Sequence, residues 1–234
     1  MNRKKLEMGN SKPKVKRRFH TASVAVIGLG RFGSALATEL VNSGHQVLGI
    51  DSDDRIVQHM APTLTHVVAA DTTDEENLRE LGIAEMDSAV VAIGADLEAS
   101  ILTASLLLQI GVKQVWAKAN SASHGRILTQ IGVHHVIFPE YEMGRRVAHQ
   151  VSGESLDYVH IDEDFVMVKT YVPVVFEDQP LSEAKIRASY GVTVVAVNDG
   201  SGYKPAFPDT VLRKGNTIVI AGPKGPLDQF CQLD

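Results

Sequence analysis

Between residues 22 and 151, short apolar runs alternate with segments of helical spacing, six of each. Residues 22–28 (ASVAVIG) form a β-branched apolar run that reads as a buried strand. Residues 31–43 follow with Phe32, Ala35, Leu36, Leu40 and Val41 on one helical face, and Gly44 stands where such a helix stops. The couplet recurs with strands at 46–50, 65–70, 88–93, 114–119 and 134–138, and helices at 54–60, 75–81, 97–110, 123–131 and 141–151. Strict alternation requires parallel strands joined by helical crossovers. The expected architecture is α/β, a doubly wound, Rossmann-like parallel sheet.

Beyond residue 151 the rhythm changes. Ser152-Gly153-Glu154-Ser155 is polar and turn-prone, and marks a boundary. Strands are then expected at 165–172, 192–198 and 217–221, one helix at 181–189, a turn at 199–202 and a terminal helix at 226–230. The expected organisation is a basic, flexible tail over 1–20, a nucleotide-binding domain over 21–151 and a small α+β domain over 152–234.

Composition narrows the class. With 44% hydrophobic and 22% charged residues among 234, wholesale disorder is excluded. No apolar run reaches the length of a membrane span, and the basic N-terminus lacks the apolar core of a signal peptide, so a cytoplasmic location is expected. A single cysteine, Cys231, excludes an intrachain disulfide framework. Of 23 Lys/Arg and 28 Asp/Glu, residues 1–19 hold eight bases and one acid, which leaves 15 bases against 27 acids, a balance of −12. An acidic body argues against nucleic-acid binding. The tail would either touch anionic lipid or RNA, or stay solvated without a partner.

The sharpest motif is Gly28-Leu29-Gly30-Arg31-Phe32-Gly33, which follows the first strand and opens the first helix. In that context Gly28 permits a tight turn, Gly30 lets a diphosphate approach the backbone, and Gly33 lets helix and strand pack closely. The N–H groups at the helix start attract phosphate, and Arg31 adds a charged fork beside Phe32. Asp51, 18 residues after Gly33 at the end of the second strand, suits a ribose diol and would repel a 2′-phosphate. Ser52 follows it. Arg55 would lie over an adenine face or form a surface salt bridge. Asp71-Thr72 and Ala92-Ile93-Gly94 follow the third and fourth strands, at the edge where ligands bind in such sheets. Asp71 would serve there or cap the next helix. Lys118 ends the fifth strand and would meet phosphate. Glu140 follows the sixth and would meet a phosphate-bound divalent cation.

No reaction centre accompanies this site. None of the five tyrosines has Lys four residues on, HExxH and GxSxG are absent, and His124, His134, His135 and His149 stand on helices or at a strand start. A nucleotide site without an acid or base favours a sensor over an NAD-dependent oxidoreductase. A Rossmann-core transcription regulator would need a DNA-binding module that the short tail cannot supply.

The segments VAVIGLGRFGSALATEL (24–40), GHQVLGIDSD (44–53), VVAADTTDEENLRELGI (67–83), AVVAIGADLEASILTASLLLQIGV (89–112), VWAKANS (115–121) and ILTQIGVHHVIFPEYEMGRRVA (127–148) resemble the RCK, or KTN, regulators of the Ktr and Trk potassium-uptake systems. Residues 188–222 resemble the family's small ligand-sensing domain. The resemblance implies a cytoplasmic regulatory subunit, peripheral to the membrane through a K⁺ channel subunit of Ktr/Trk type. It would assemble from dimers into an octameric gating ring controlled by ATP and ADP, or by NAD(H). By the same resemblance Gly28, Gly30, Arg31 and Gly33 hold phosphates, Asp51 holds ribose, and Asp71, Thr72 and Lys118 complete the site. Glu140 would approach the γ-phosphate or its Mg²⁺ or Ca²⁺ across a dimer interface, and residues 143–151 would begin a helix joining subunits. Many members carry Asn where Asp71 stands; a second carboxylate beside Asp51 favours NAD-like or adenosine ligands over more highly charged ones. Several members bind cyclic di-AMP in the C-terminal domain, for which Arg187, Asn198 and Pro208 are candidates here, or else a surface charge, a turn residue and a loop proline.

Overall fold

The computed structural model of the protein describes residues 21–152 and 155–233; the tail expected over 1–20 and two residues of the expected boundary, Gly153 and Glu154, lie outside them. Two compact units divide between Phe138 and Pro139.

The first unit carries six strands, β1 (Ser23–Ile27), β2 (Gln46–Asp51), β3 (His66–Ala69), β4 (Ser88–Val91), β5 (Val115–Lys118) and β6 (His135–Ile137). They form one all-parallel sheet in the order β3-β2-β1-β4-β5-β6. Helices α1 (Arg31–Asn42), α2 (Asp54–Met60), α3 (Glu75–Glu80), α4 (Leu97–Gln109) and α5 (Ala122–Gln130) make the crossovers. The chain steps outward from β1 through β2 to β3, then returns to β4 on the other side of β1. This is the doubly wound arrangement, and its ligand crevice lies beyond the carboxyl ends of β1 and β4.

Strand periodicity sorts the apolar residues into two cores. Ala25 and Ile27 of β1, Leu48 and Ile50 of β2 and Ala89 and Val91 of β4 point to one face, where Leu78, Leu107 and Leu128 cover them. Val24 and Val26, Val47 and Val90 point to the other, against Leu29, Ala37, Met60 and Leu64. Both faces are thus dry, which is why these strands read as continuous apolar runs. Each Leu, Ile or Val so buried contributes roughly 1.5–3 kcal/mol before entropy is counted.

The second unit opens with α6 (Pro139–Val151) and continues through β7 (Asp157–His160), β8 (Phe165–Tyr171), β9 (Gln179–Pro180), α7 (Leu181–Ala184), α8 (Ile186–Tyr190), β10 (Thr193–Asn198), β11 (Tyr203–Pro205), β12 (Val211–Leu212), β13 (Thr217–Pro223) and α9 (Lys224–Cys231). Its five-stranded sheet is antiparallel in the order β11-β10-β13-β8-β7, with β9 and β12 paired apart. Val166, Val168, Ile218 and Ile220 pack beneath Leu227 and Phe230 of α9. This is the small α+β unit that the sequence implies.

Three details differ from the sequence reading. The units divide before α6 rather than after it, because α6 is anchored to β7: Arg146 binds Asp157 through two bonds of 2.7 Å, and the His149 ring stacks on Tyr158 at 3.9 Å. The single helix expected at 181–189 is two, α7 and α8, broken at Lys185, whose φ of 49° is left-handed. The strands β7, β9, β11 and β12 were not expected.

Candidate functional site

The glycines of the first loop do three different jobs. Gly28 has φ +89°, and its N–H donates to the Ile50 carbonyl at 2.8 Å. A Cβ there would also come within 3.0 Å of the Ile93 nitrogen. Gly33 packs α1 onto the turn so closely that a Cβ would lie 1.8 Å from the Gly28 oxygen. Gly30 meets nothing within 4 Å. Its openness leaves room for a ligand to reach the main chain.

Gly30 is also the N-cap of α1, and no side chain caps that helix. Asp53, Asp74, Asp96 and Ser121 cap α2, α3, α4 and α5. The first turn of α1 carries no acidic residue. Its amides and dipole therefore present positive potential to an anion beyond Gly30. Arg31 is exposed at that turn, and Phe32 is half-buried with Lys118 Nζ 5.9 Å from its ring centre.

Asp51 joins this loop to the next strand. Its Oδ2 accepts from the Leu29 amide at 2.7 Å and its Oδ1 from the Asp53 amide at 2.9 Å. Each oxygen keeps acceptor capacity for a ribose hydroxyl. Ser52 is exposed beside it. Arg55 is committed to Asp53, with Nε and Nη2 at 3.1 and 2.7 Å, and that hydrogen-bonded guanidinium pulls the Asp53 carboxyl down to about 2. Of the two readings of Arg55, the structure contains the salt bridge.

The third loop resolves differently. Asp71 accepts from the amide and hydroxyl of Thr73 at 2.9 and 2.7 Å, and these bonds hold its carboxyl below the usual range. It does not cap α3; Asp74 does, accepting from the Glu76 amide. Thr72 is buried, its hydroxyl 2.9 Å from that of Thr103 in α4, so its side chain is spent inside the fold. A ligand would find the Thr72 backbone rather than its hydroxyl.

Ala92 is buried, Ile93 half-buried and Gly94 exposed at the end of β4. Lys118 is buried, its Nζ 3.3 Å from the place a Gly94 Cβ would take. The sequence reading missed Asn120. Its Nδ2 donates to the Gly94 carbonyl and its amide donates to His124 Nδ1 at 3.3 Å, so the loops after β4 and β5 are tied together. A polar residue just past the carboxyl end of β5 was the available signal. His124 is buried, and burial lowers its pKa from the ordinary histidine value by disfavouring the charged ring. His134 accepts from the Val115 amide, and His135 stacks on Trp116 at 3.9 Å.

Gly28, Gly30, Gly33, Asp51, Gly94 and Lys118 thus gather at the carboxyl edge of one sheet. The TrkA-N domain model matches residues 24–139 and the TrkA-C domain model residues 170–233. Ktr system potassium uptake protein A of Bacillus subtilis (strain 168) is 34% identical over 215 residues, which span 91% of this chain and 97% of that protein. The chain belongs to the Ktr/TrkA family of potassium-uptake proteins. Ktr system potassium uptake protein C of the same organism is 38% identical over 208 residues, 88% of this chain and 94% of its own length. Among solved structures, the GsuK channel bound to NAD superposes with a TM-score of 0.65 at 17% identity, over 90% of this chain and 39% of that chain. At that identity the likeness establishes the fold.

The remaining candidates of this Ktr/TrkA chain lie in its second unit. Glu140 is exposed on the first turn of α6. Among the described residues no three His, Cys, Asp or Glu side chains gather as a metal-binding group. A Mg²⁺ or Ca²⁺ at Glu140 would therefore need phosphate oxygens to complete its shell, a normal arrangement for Mg²⁺. Arg187 donates to the Thr193 hydroxyl at 3.1 Å, at one end of β10. At the other end Asn198 closes a turn, its Oδ1 accepting from Gly200 and Gly202 at 2.8 and 3.2 Å. The strand between them spans about 16 Å. The Pro208 carbonyl accepts from the Ser182 amide at 2.9 Å. Arg187 and Asn198 are therefore not brought together within one chain.

Proposed function

We propose that this Ktr/TrkA-family chain is the regulatory subunit of a potassium-uptake system, gated by an adenine nucleotide and without an enzymatic reaction of its own. The observation that carries the reading is the uncapped Gly30 turn with Asp51 tied to it. A turn suited to a diphosphate and a carboxylate suited to a ribose would then stand side by side, while His45, His124 and His134 accept from backbone amides and His135 stacks on Trp116. Phosphates would rest on Gly28, Gly30, Arg31 and Gly33, with Lys118 as a further cation. Ribose would bind Asp51, with Ser52 and Asp71 beside it. The base would lie along Ala92-Ile93-Gly94. ATP, ADP and NAD(H) all carry this adenosine diphosphate core.

Among the described residues no helix is long and apolar enough to cross a membrane. Control of ion flow would then pass through a membrane-embedded channel subunit of Ktr/Trk type, with this chain on the cytoplasmic side. The exposed apolar residues of α6, Tyr141, Met143, Val147 and Val151, suit a subunit contact in a dimer or an octameric ring. A ligand shifts such an assembly only by binding one arrangement more tightly than another. A γ-phosphate and its Mg²⁺ or Ca²⁺, met across a dimer interface by Glu140 of a second subunit, would supply that difference.

Calorimetric titration with ATP, ADP, NADH and cyclic di-AMP, with and without Mg²⁺, tests the reading beside light scattering for mass. Micromolar nucleotide binding without turnover by a particle larger than a dimer is expected. Hydride transfer from NADH to a carbonyl substrate would replace it with the oxidoreductase reading.

A further inference from the structure

The contact that seats α6 on the second unit contains a titrating group. Nη2 of Arg145 lies 2.7 Å from Nε2 of His160, on β7. A guanidinium only donates. The same Nη2 lies 3.5 Å from Nδ1, and whichever ring nitrogen accepts can do so only while the ring is neutral. A doubly protonated imidazole would present N–H to N–H, cation to cation.

The neighbours of His160 reinforce this. Arg145 and His149 of α6 and Lys224 of α9 act electrostatically against a proton on it, and Asp228 of α9 acts in favour of one. On its own strand the Tyr158 ring lies 5.1 Å away, and the Tyr158 hydroxyl is bonded to Asp228 Oδ1 at 3.2 Å. Two permanent cations thus oppose one carboxylate that already serves another donor. β7 is also the edge strand of its sheet, with a single strand neighbour.

We propose that the Arg145–His160 contact is a proton-operated latch, closed while His160 is neutral, that holds α6 to β7. The direction of the pKa agrees: burial first, then Arg145, Lys224 and His149, lower it from 6.5, with Asp228 opposing. The unseated ring then binds a proton more readily than the seated one. The latch is at full strength above the ordinary histidine value, weakens as pH falls below it, and reaches its limit beneath the seated value. The neighbouring Arg146–Asp157 bond stays charged throughout that window, since Arg146 holds the Asp157 carboxyl below the usual range. Acid would thus loosen the helix by which the chain enters the second unit. This device is independent of any nucleotide.

Hydrogen exchange of the full chain, read on peptides from 139–151 at about pH 8 and about pH 5.5 and corrected for intrinsic exchange, tests it. We expect protection to fall at least about twofold in acid. His160→Gln offers Arg145 an acceptor at every pH and should remove the dependence. Arg145→Gln removes the facing cation and should weaken the dependence, leaving the share that burial supplies. A wild-type response below twofold overturns the latch, as does a wild-type response retained in His160→Gln. If His160→Gln does not fold, a response in Arg145→Gln as large as the wild type's decides against it equally.

Discussion

The Leu29 amide donates to Oδ2 of Asp51 at 2.7 Å, so the carboxylate proposed to meet a ribose also fixes the loop proposed to meet the phosphates. The two halves of the site are one hydrogen-bonded object. Asp51→Ala should therefore do more than remove a ribose contact. It leaves the Leu29 and Asp53 amides without their acceptor, and Leu29 is buried. We expect a loss of about 1–3 kcal/mol in the ligand-free protein, read from urea titration. We also expect nucleotide affinity to fall at least about tenfold by calorimetry. Unchanged ligand-free stability would show that water replaces the carboxylate at the loop.

The glycines separate folding from binding. At Gly33 a Cβ would strike the Gly28 oxygen at 1.8 Å, so Gly33→Ala must push α1 away from β1. The cost should be about 1–3 kcal/mol, the usual range for overpacking. Gly30→Ala meets open space and an ordinary φ of −65°, so its stability should stay within about 1 kcal/mol. Its methyl group would nevertheless stand in the ligand's approach. Denaturation and titration of both variants should show Gly33→Ala losing both properties and Gly30→Ala losing binding alone.

Much of this could be read from the chain because the first unit is locally consistent. Every strand of its sheet contains apolar residues in succession, and Gly44 and Gly111, both with positive φ, end α1 and α4 where the spacing stops. The site was legible where its chemistry is local, as in the glycine turn and Asp51. It was not legible where the partner is distant. Thr72 looks like a site residue beside Asp71 until Thr103, 31 residues on, takes its hydroxyl. Asn120 matters through Gly94, 26 residues earlier. In the second unit, β9 and β12 are two residues each and β11 ends in proline, too short to show a period of two. Ser152–Ser155 looks like a linker in sequence, while the anchors that tie α6 to the unit after it are an ion pair with Asp157 and a ring stack on Tyr158, which local sequence does not show.

The Arg146–Asp157 pair predicts an acid dependence of the second unit. The bidentate guanidinium is the main cause of the lowered Asp157 pKa. A lowered carboxyl adds stability that is complete above its ordinary value of 3.8 and is lost as pH falls through the folded value. Asp157→Asn lacks the charge at every pH. Its urea midpoint should lie below the wild type's at neutral pH, and the two should converge as the solution is acidified beneath that ordinary value. A gap that persists at low pH would mean that packing, not charge, is what the substitution removes.

Lys185 supplies the last test, because its side chain and its backbone argue oppositely. It stands between α7 and α8 with φ 49° and ψ 28°, a left-handed conformation that costs a residue with a Cβ roughly 1–2 kcal/mol. The sequence gives no sign of the break, since glycine is the usual residue there. Lys185→Gly relieves the strain but gains freedom when unfolded, which returns roughly 0.5–1 kcal/mol. A net gain of up to about 1 kcal/mol is expected, seen as a higher urea midpoint with an unchanged slope. Lys185→Ala keeps the Cβ and should leave the midpoint where it was. If alanine stabilises as much as glycine does, the lysine side chain is the unfavourable element; if both destabilise, the lysine makes a contact that outweighs its backbone strain.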